Sequence, residues 1–266
     1  MATKWMIWMT ELSSRKSICR LTGRFSHSKW SRFVIPRFAK AYGITLDEAE
    51  KELKEYHTLN EFFTRRLKQG MRPICQEPGG VVSPVDALIT AMGKIKSSTI
   101  LNVKGQDYSI DELLNHSPRS EAFRNGYAIV LYLSPTDYHR IHAPVSGRML
   151  ESEHIPGRVY PVNDFGMTNM RSVLSRNERL ITYISHEYGE TAVVKVGAMN
   201  VSSIKYVDNN AKEWERGDEL AYFEFGSTVV LLMQDNFGPM SDLGVGSKVK
   251  VGTLLGQFHN SVPNQQ

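Results

Sequence analysis

Cysteine is scarce: the 266 residues include only Cys19 and Cys75. Two thiols cannot build a disulfide framework or a four-thiolate zinc site, so a reducing, cytoplasmic setting is expected and no metal is assigned. Long apolar runs are also missing. The longest, such as 128–133 and 229–233, fall far short of the roughly 20 residues needed to cross a bilayer, and no spanning segment is expected. Residues 1–10 hold an apolar stretch of about five, below the roughly 7–15 of a signal-peptide core, so the segment is expected to stay in the mature protein. No G-x-S-x-G elbow, Walker loop, G-x-G-x-x-G or H-E-x-x-H occurs, which removes the main support for ordinary serine-hydrolase, nucleotide and metalloprotease readings. No internal repeat is visible.

What is present is ordinary globular composition, with 41% hydrophobic and 23% charged residues, unevenly distributed in charge. The first 40 residues carry nine Lys or Arg against the single acid Glu11, a net +8, leaving −4 for the rest. Trp5, Met6, Ile7, Trp8, Met9, Phe25, Trp30 and Phe33 are interleaved with those cations. Tryptophan and methionine beside lysine and arginine suit a lipid headgroup boundary, so a peripheral docking surface for anionic membrane is expected. The plainer alternative is a helical subdomain with a solvated basic face.

Capping boxes Thr45/Glu48 and Thr58/Glu61 predict helices over 46–54 and 59–68. After Gly70 and Pro73 the texture turns to short β-rich runs: 80–82, 88–95, 126–133, 147–153, 179–185, 191–196, 203–207, 219–225, 228–233 and 248–256. A third box, Ser109/Glu112, predicts a short helix through residue 115. The expected architecture is α+β, with N-terminal amphipathic helices and then a mostly antiparallel or mixed β-rich domain with short helical insertions. The boundary falls near residue 70, giving a basic helical docking segment (1–70) and a β-rich catalytic domain (71–266).

Three polar islands interrupt the strands: Ser83-Pro84-Val85-Asp86, then Ser134-Pro135-Thr136-Asp137-Tyr138-His139-Arg140-Ile141-His142, then Gly226-Ser227-Thr228. They supply an acid, two imidazoles and a hydroxyl. Ser134-Pro135 reads as N-cap and first residue of a helical turn, which would put His139 and His142 on one face. Gly226-Ser227-Thr228 by itself reads as a hairpin turn.

In this order the islands resemble the phosphatidylserine decarboxylase family, with its S-P-x-D acid, D-Y-H-R-x-H segment and G-S-T tripeptide. The likeness extends from Glu61-Phe62-Phe63-Thr64-Arg65-Arg66-Leu67 through Pro161-Val162-Asn163, Ser175-Arg176-Asn177-Glu178-Arg179 and Val196-Gly197-Ala198-Met199 to Gly226-Ser227-Thr228, and in length the chain is similar to the short bacterial branch. The resemblance implies self-cleavage between Gly226 and Ser227. The Ser227 hydroxyl attacks the Gly226 carbonyl, and β-elimination from the resulting ester splits the chain. Loss of ammonia then leaves a pyruvoyl group on the small C-terminal chain, which stays with its large partner. That ketone is the implied cofactor, acting as electron sink through a Schiff base with the substrate amine and releasing CO2.

A neutral hydroxyl needs a base, and a base needs orienting, so His142 and Asp86 are assigned those roles and His139 the protonation of the carbanion. The implied substrate is phosphatidylserine in an anionic membrane surface on the cytoplasmic face, giving phosphatidylethanolamine. A homodimer is left open. Ala87 stands where the family usually has glycine after the acid, and would strain the chain if the position required positive φ. Competing readings are a pyruvoyl-dependent decarboxylase of a soluble amino acid and a non-enzymatic membrane-bound β-rich module. A nucleic-acid binder is disfavoured because the −4 body offers no continuing basic groove.

Overall fold

Alternate side chains of the long central strands enter two different hydrophobic cores, so both faces of the main sheet are covered. Val130, Val194, Ile181 and Leu232 pack on one side, and Leu131, Val193, Ile184 and Leu231 on the other. Coverage of both faces explains why these strands are almost uniformly apolar although antiparallel. The computed structural model describes residues 23–96, 99–103, 105–198, 204–224 and 227–259, excluding the side chains of 99–102 and 227. Gly226 and the basic residues of 1–22 therefore lie outside the described residues.

The strands in chain order are β1 (Gly80–Val82), β2 (Ala87–Lys94), β3 (Thr99–Val103), β4 (Gln106–Ser109), β5 (Tyr127–Leu133), β6 (Arg140–His142), β7 (Gly147–Ile155) and β8 (Arg179–His186). They continue with β9 (Gly189–Gly197), β10 (Ile204–Tyr206), β11 (Glu213–Trp214), β12 (Glu219–Phe223), β13 (Ser227–Met233), β14 (Phe237–Pro239), β15 (Lys248–Val249) and β16 (Leu254–Phe258). An eight-stranded sheet runs β11-β7-β8-β9-β13-β5-β2-β15, beside the three-stranded sheets β10-β12-β6 and β1-β16-β14 and the hairpin β3-β4. Every strand pair is antiparallel. The short helices Ile110–Leu113, Asp164–Asn169 and Val173–Arg176 supply Ile110, Leu113, Met167, Val173 and Leu174 to one core. The fold is thus the expected α+β arrangement, with a β-rich body.

Several local expectations need correction. No helix spans 46–54; that stretch is mainly turn, with a 3₁₀ turn at Leu53–Glu55 capped reciprocally by Glu52 and Glu55. The Thr58 cap does form, accepting from Glu61 N at 3.1 Å, but its helix ends at Phe63. The helix opened by Ser109 stops at Leu113, before Asn115 and His116 turn left-handed (φ 55° and 58°). The run 248–256 is two strands, because the chain turns at Gly252. There φ is +86° and a Cβ would strike the Pro73 carbonyl, so only glycine fits without rearrangement.

The second island is not helical. A turn closed by Asp137 N donating to Ser134 O (3.0 Å) leads into β6, so His142 lies on a strand and His139 just before it. The Asp137 carboxylate holds that turn by accepting from Ser134 N (2.7 Å) and Ser134 Oγ (2.8 Å), bonds that compete with helix formation. Ala87 sits in β2 opposite Val249 and is not among the residues with positive φ, so the glycine departure brings no backbone strain.

The third island is not a hairpin. Strand β12 pairs with β6 and β10, whereas β13 pairs with β5 and β9, so residues 224–226 join two different sheets.

Leu231, fully buried at the centre of β13, tests how far this sheet carries the fold. Leu231→Ala is expected to lower the unfolding free energy by about 2–5 kcal/mol, read as a drop in the urea midpoint.

Candidate active site

The three islands converge at one end of the main sheet. Leu88 pairs with Tyr132, and Leu133 pairs with Ser227, so the start of β2, the end of β5 and the start of β13 lie side by side. Beside them a cavity of about 300 Å³ is lined by Asp86, Ser134, Thr136, Asp137, Lys248 and Lys250, among others. Phe223 N donates to His139 O at 3.1 Å, which brings the last residue of β12, four before Ser227, against the histidine segment.

His139 has no exposed surface and packs on the Phe63 ring at 3.9 Å between centroids. Its Nδ1 lies 2.7 Å from Asp137 O. A carbonyl can only accept, so Nδ1 carries the proton and Nε2 the lone pair. That Nε2 is buried and has no hydrogen-bond partner among the described residues. Burial, reinforced by the nearby Arg65 charge, pushes the imidazole down to about 3, so it is neutral near pH 7. The sequence reading expected a protonated donor with an ordinary histidine range; the resting state is instead a buried neutral base.

His142 shows the same tautomer. Its Nδ1 donates to Gly217 O at 2.6 Å, and its Nε2 accepts from the Tyr138 hydroxyl at 3.2 Å. Burial shifts it below the usual histidine range, while the Gly217 bond and the fields of Glu219 and Asp86 oppose that shift. The expected Asp86–His142 hydrogen bond is not what orients this ring; a backbone carbonyl does so.

Asp86 is nevertheless part of the site, because its loop is tied to the histidine strand: His142 N donates to Pro84 O at 2.8 Å. The carboxylate accepts Arg72 Nε at 2.9 and 3.1 Å, Arg72 Nη2 at 2.5 Å and Val251 N at 2.9 Å. Arg72 also donates to Glu48 (2.6 Å), which Lys250 contacts at 3.0 Å. With two cations bound, Glu48 is lowered to about 2. Sequence reasoning missed Arg72, whose only signal was an arginine close ahead of an acid that needed a partner.

The 59–67 segment braces the histidines from the outside. Arg65 Nη2 donates to Thr136 O (3.0 Å), Arg140 Nε to Thr64 O (2.9 Å), and Glu219 accepts from Arg140 (2.8 Å) and Arg66 (3.1 Å). On the opposite side, Glu224 is buried and paired with Lys205 at 2.9 Å and His27 at 3.3 Å. Residues just before the third island are thereby anchored, partly by the basic N-terminal segment.

Two imidazoles whose Nε2 atoms carry the lone pair and a clamped carboxylate, near a serine-bearing strand start, define a site suited to base-assisted attack by a hydroxyl. The sequence profile of the phosphatidylserine decarboxylase family matches residues 59–257. The chain is 42% identical over 258 residues to the phosphatidylserine decarboxylase proenzyme of Geobacillus kaustophilus, covering 96% of this chain and 97% of the relative. It is 41% identical over 255 residues to that of Anoxybacillus flavithermus (95% and 96% covered), and 41% over 241 residues to that of Brevibacillus brevis (84% and 86%). This chain belongs to the phosphatidylserine decarboxylase family.

The buried histidines predict acid sensitivity. His139, pushed down to about 3 from an ordinary 6.5, and His186, pushed down to about 4, bind protons more readily when unfolded. Their contribution to stability is therefore complete above about pH 6.5 and is lost as pH falls towards their folded values. Between about pH 6 and 4, His139→Gln is expected to flatten the loss of unfolding free energy by about 1.4 kcal/mol per pH unit, measured from urea midpoints.

Proposed function

We propose that this chain cleaves itself between Gly226 and Ser227 and then decarboxylates phosphatidylserine at a membrane surface, giving phosphatidylethanolamine and CO2. The observation that carries the reading is the convergence of Asp86, His139 and His142 on the strand end that begins at Ser227, a serine preceded by glycine where two sheets meet. Neither alternative, a soluble substrate or a non-enzymatic module, gains support from the proenzyme relatives.

In the uncut chain His142 acts as base. Its Nε2 already accepts a hydroxyl proton from Tyr138, so its lone pair is available to a hydroxyl that takes that place. Gly217 O keeps the proton on Nδ1 throughout. As the imidazole gains charge, the Asp86 carboxylate stabilises it through space, while Arg72 and Val251 N keep that carboxylate in place. Glycine at 226 leaves the attacked carbonyl unscreened.

The surroundings of Ser227 fit the pyruvoyl group that such cleavage would leave. A cavity opens beside the strand end, and the fully buried Nε2 of His139 lacks a partner among the described residues. The group would supply an electron sink for the departing carboxylate's electrons. His139, packed on Phe63 and shielded from water, holds a lone pair for the proton that must be handled there. Ser134, Thr136, Lys248 and Lys250 line the same cavity with hydroxyls and ammonium groups suited to a phosphodiester.

Lipid access follows from the N-terminal segment. Trp30 (76% exposed), Phe33 and Phe25 project outward beside the exposed cations Arg24, Lys29, Arg32 and Arg37. Each cation near an anionic bilayer contributes on the order of 1 kcal/mol, and exposed aromatic rings suit the headgroup level. Among the described residues no helix is long and apolar enough to cross a membrane.

Gel time courses of chain splitting separate the imidazoles. His142→Ala and Asp86→Asn are expected to slow cleavage by about a hundredfold or more, the usual worth of a positioned base. His139→Ala is expected to split yet release little CO2 from phosphatidylserine vesicles. Equal splitting by His142→Ala and the parent would remove His142 from its role. Trp30→Ala/Phe33→Ala is expected to lower turnover on anionic vesicles, while turnover on a detergent-dispersed short-chain substrate stays at the parent value.

A further inference from the structure

Lys195 is a buried titratable group that the mechanism above leaves unused. It lies in β9 with no exposed surface, and among the described residues its partners are neutral: Nζ donates to Thr182 Oγ1 at 2.5 Å and Val193 O at 3.3 Å, and sits 5.4 Å from the centre of the Tyr206 ring. Burial alone drives its amine down to about 7. Lysine is rarely buried in an apolar core without a counter-charge, because the charged form loses its hydration there.

Its position is informative. Lys195 stands opposite Val229, and Gly197 stands opposite Ser227, so Lys195 is the diagonal neighbour of Ser227 across the β9–β13 pair. Such neighbours lie roughly 7–8 Å apart, within reach of a long side chain.

A file of hydroxyls links the amine to solvent. Thr182 Oγ1, fully buried, is 2.6 Å from the Tyr206 hydroxyl, which is 2.7 Å from Oγ of the exposed Ser152. Each hydroxyl can donate and accept at once, so the file can pass a proton without net change. The chemistry requires such a supply. Replacing a carboxylate by hydrogen consumes one proton per turnover: R–CO2⁻ plus H⁺ gives R–H plus CO2. His139, neutral near pH 7, stores none.

We propose that Lys195, fed through Ser152, Tyr206 and Thr182, is the proton store that serves the carbon from which CO2 departs. The proposal rests on the reading that Ser227 marks the reacting centre. A proton enters at Ser152, each hydroxyl accepts one and passes on its own, and the amine becomes ammonium. The ammonium swings on its four-carbon stem from Thr182 towards the start of β13, gives up its proton as CO2 leaves, and returns neutral.

Two variants and one direct titration test this. Lys195→Met removes the store, and Tyr206→Phe removes one oxygen from the file. Both are expected to self-cleave like the parent. On phosphatidylserine in detergent micelles, kcat is expected to fall about tenfold or more at unchanged KM. In Tyr206→Phe the solvent deuterium isotope effect on kcat should also increase. Independently of turnover, lysine side-chain NMR of the uncut Ser227→Ala protein should show one amine titrating near 7, absent from Ser227→Ala/Lys195→Met.

Parent-like kcat and isotope effect in Tyr206→Phe, or a Lys195 amine titrating in the ordinary lysine range, would overturn the proposal. A parent chain that never splits would instead remove the reading beneath it.

Discussion

The passage from β12 to β13 constrains everything around it. The two strands belong to different sheets, so the three residues 224–226 have to carry the chain between them. Both ends of that passage are fixed. Upstream, Phe223 is bonded to His139 O and Glu224 is buried against Lys205 and His27. Downstream, Ser227 enters a strand paired on both sides, with Leu133 and Gly197 as its register partners. Fixing the chain on both sides of the passage restricts the paths open to the residues between, and groups oriented before a reaction begins lose less freedom in it.

The electrostatics follow from burial. Both histidines have Nδ1 tied to a backbone carbonyl, which leaves the lone pair on Nε2 without placing a second charge in the core. The Asp86 carboxylate is paired with Arg72, and Arg72 is shared with Glu48 and through it with Lys250. A guanidinium partner and a backbone amide thus satisfy the hydrogen-bonding capacity of this largely buried acid. The same network fastens Glu48 and Arg72 to the β-rich body.

Much of this was legible in residue order. Strand runs such as 126–133, 179–185 and 228–233 match β5, β8 and β13 because apolar β-branched residues bounded by turn formers leave few alternatives. Asp86, His139, His142 and Ser227 stood out as chemistry-bearing residues at strand ends, and the fold gathers them. The failures have physical causes. The 46–54 helix was inferred from a capping pattern whose Glu48 is instead recruited by Arg72 and Lys250, a tertiary pairing invisible locally. The helical turn at 134–142 failed because Asp137 folds back on Ser134. Gly217 O as the partner of His142 left no trace in side-chain identity, since any residue has a carbonyl. Lys195 did leave one: a lysine in the run Thr191–Gly197, whose neighbours are buried on both faces, is a local inconsistency of the kind that marks functional positions.

The central claim, that Ser227 is converted into the reactive carbonyl of a two-chain enzyme, is tested most directly by intact mass of the purified protein with a ketone-specific reagent. The account predicts two chains, residues 1–226 ending in a free glycine carboxylate and residues 227–266 lighter by one ammonia than the serine-bearing peptide, with the reagent on the smaller chain alone. A single unreactive chain of full mass, under conditions in which phosphatidylserine is nevertheless decarboxylated, would contradict it.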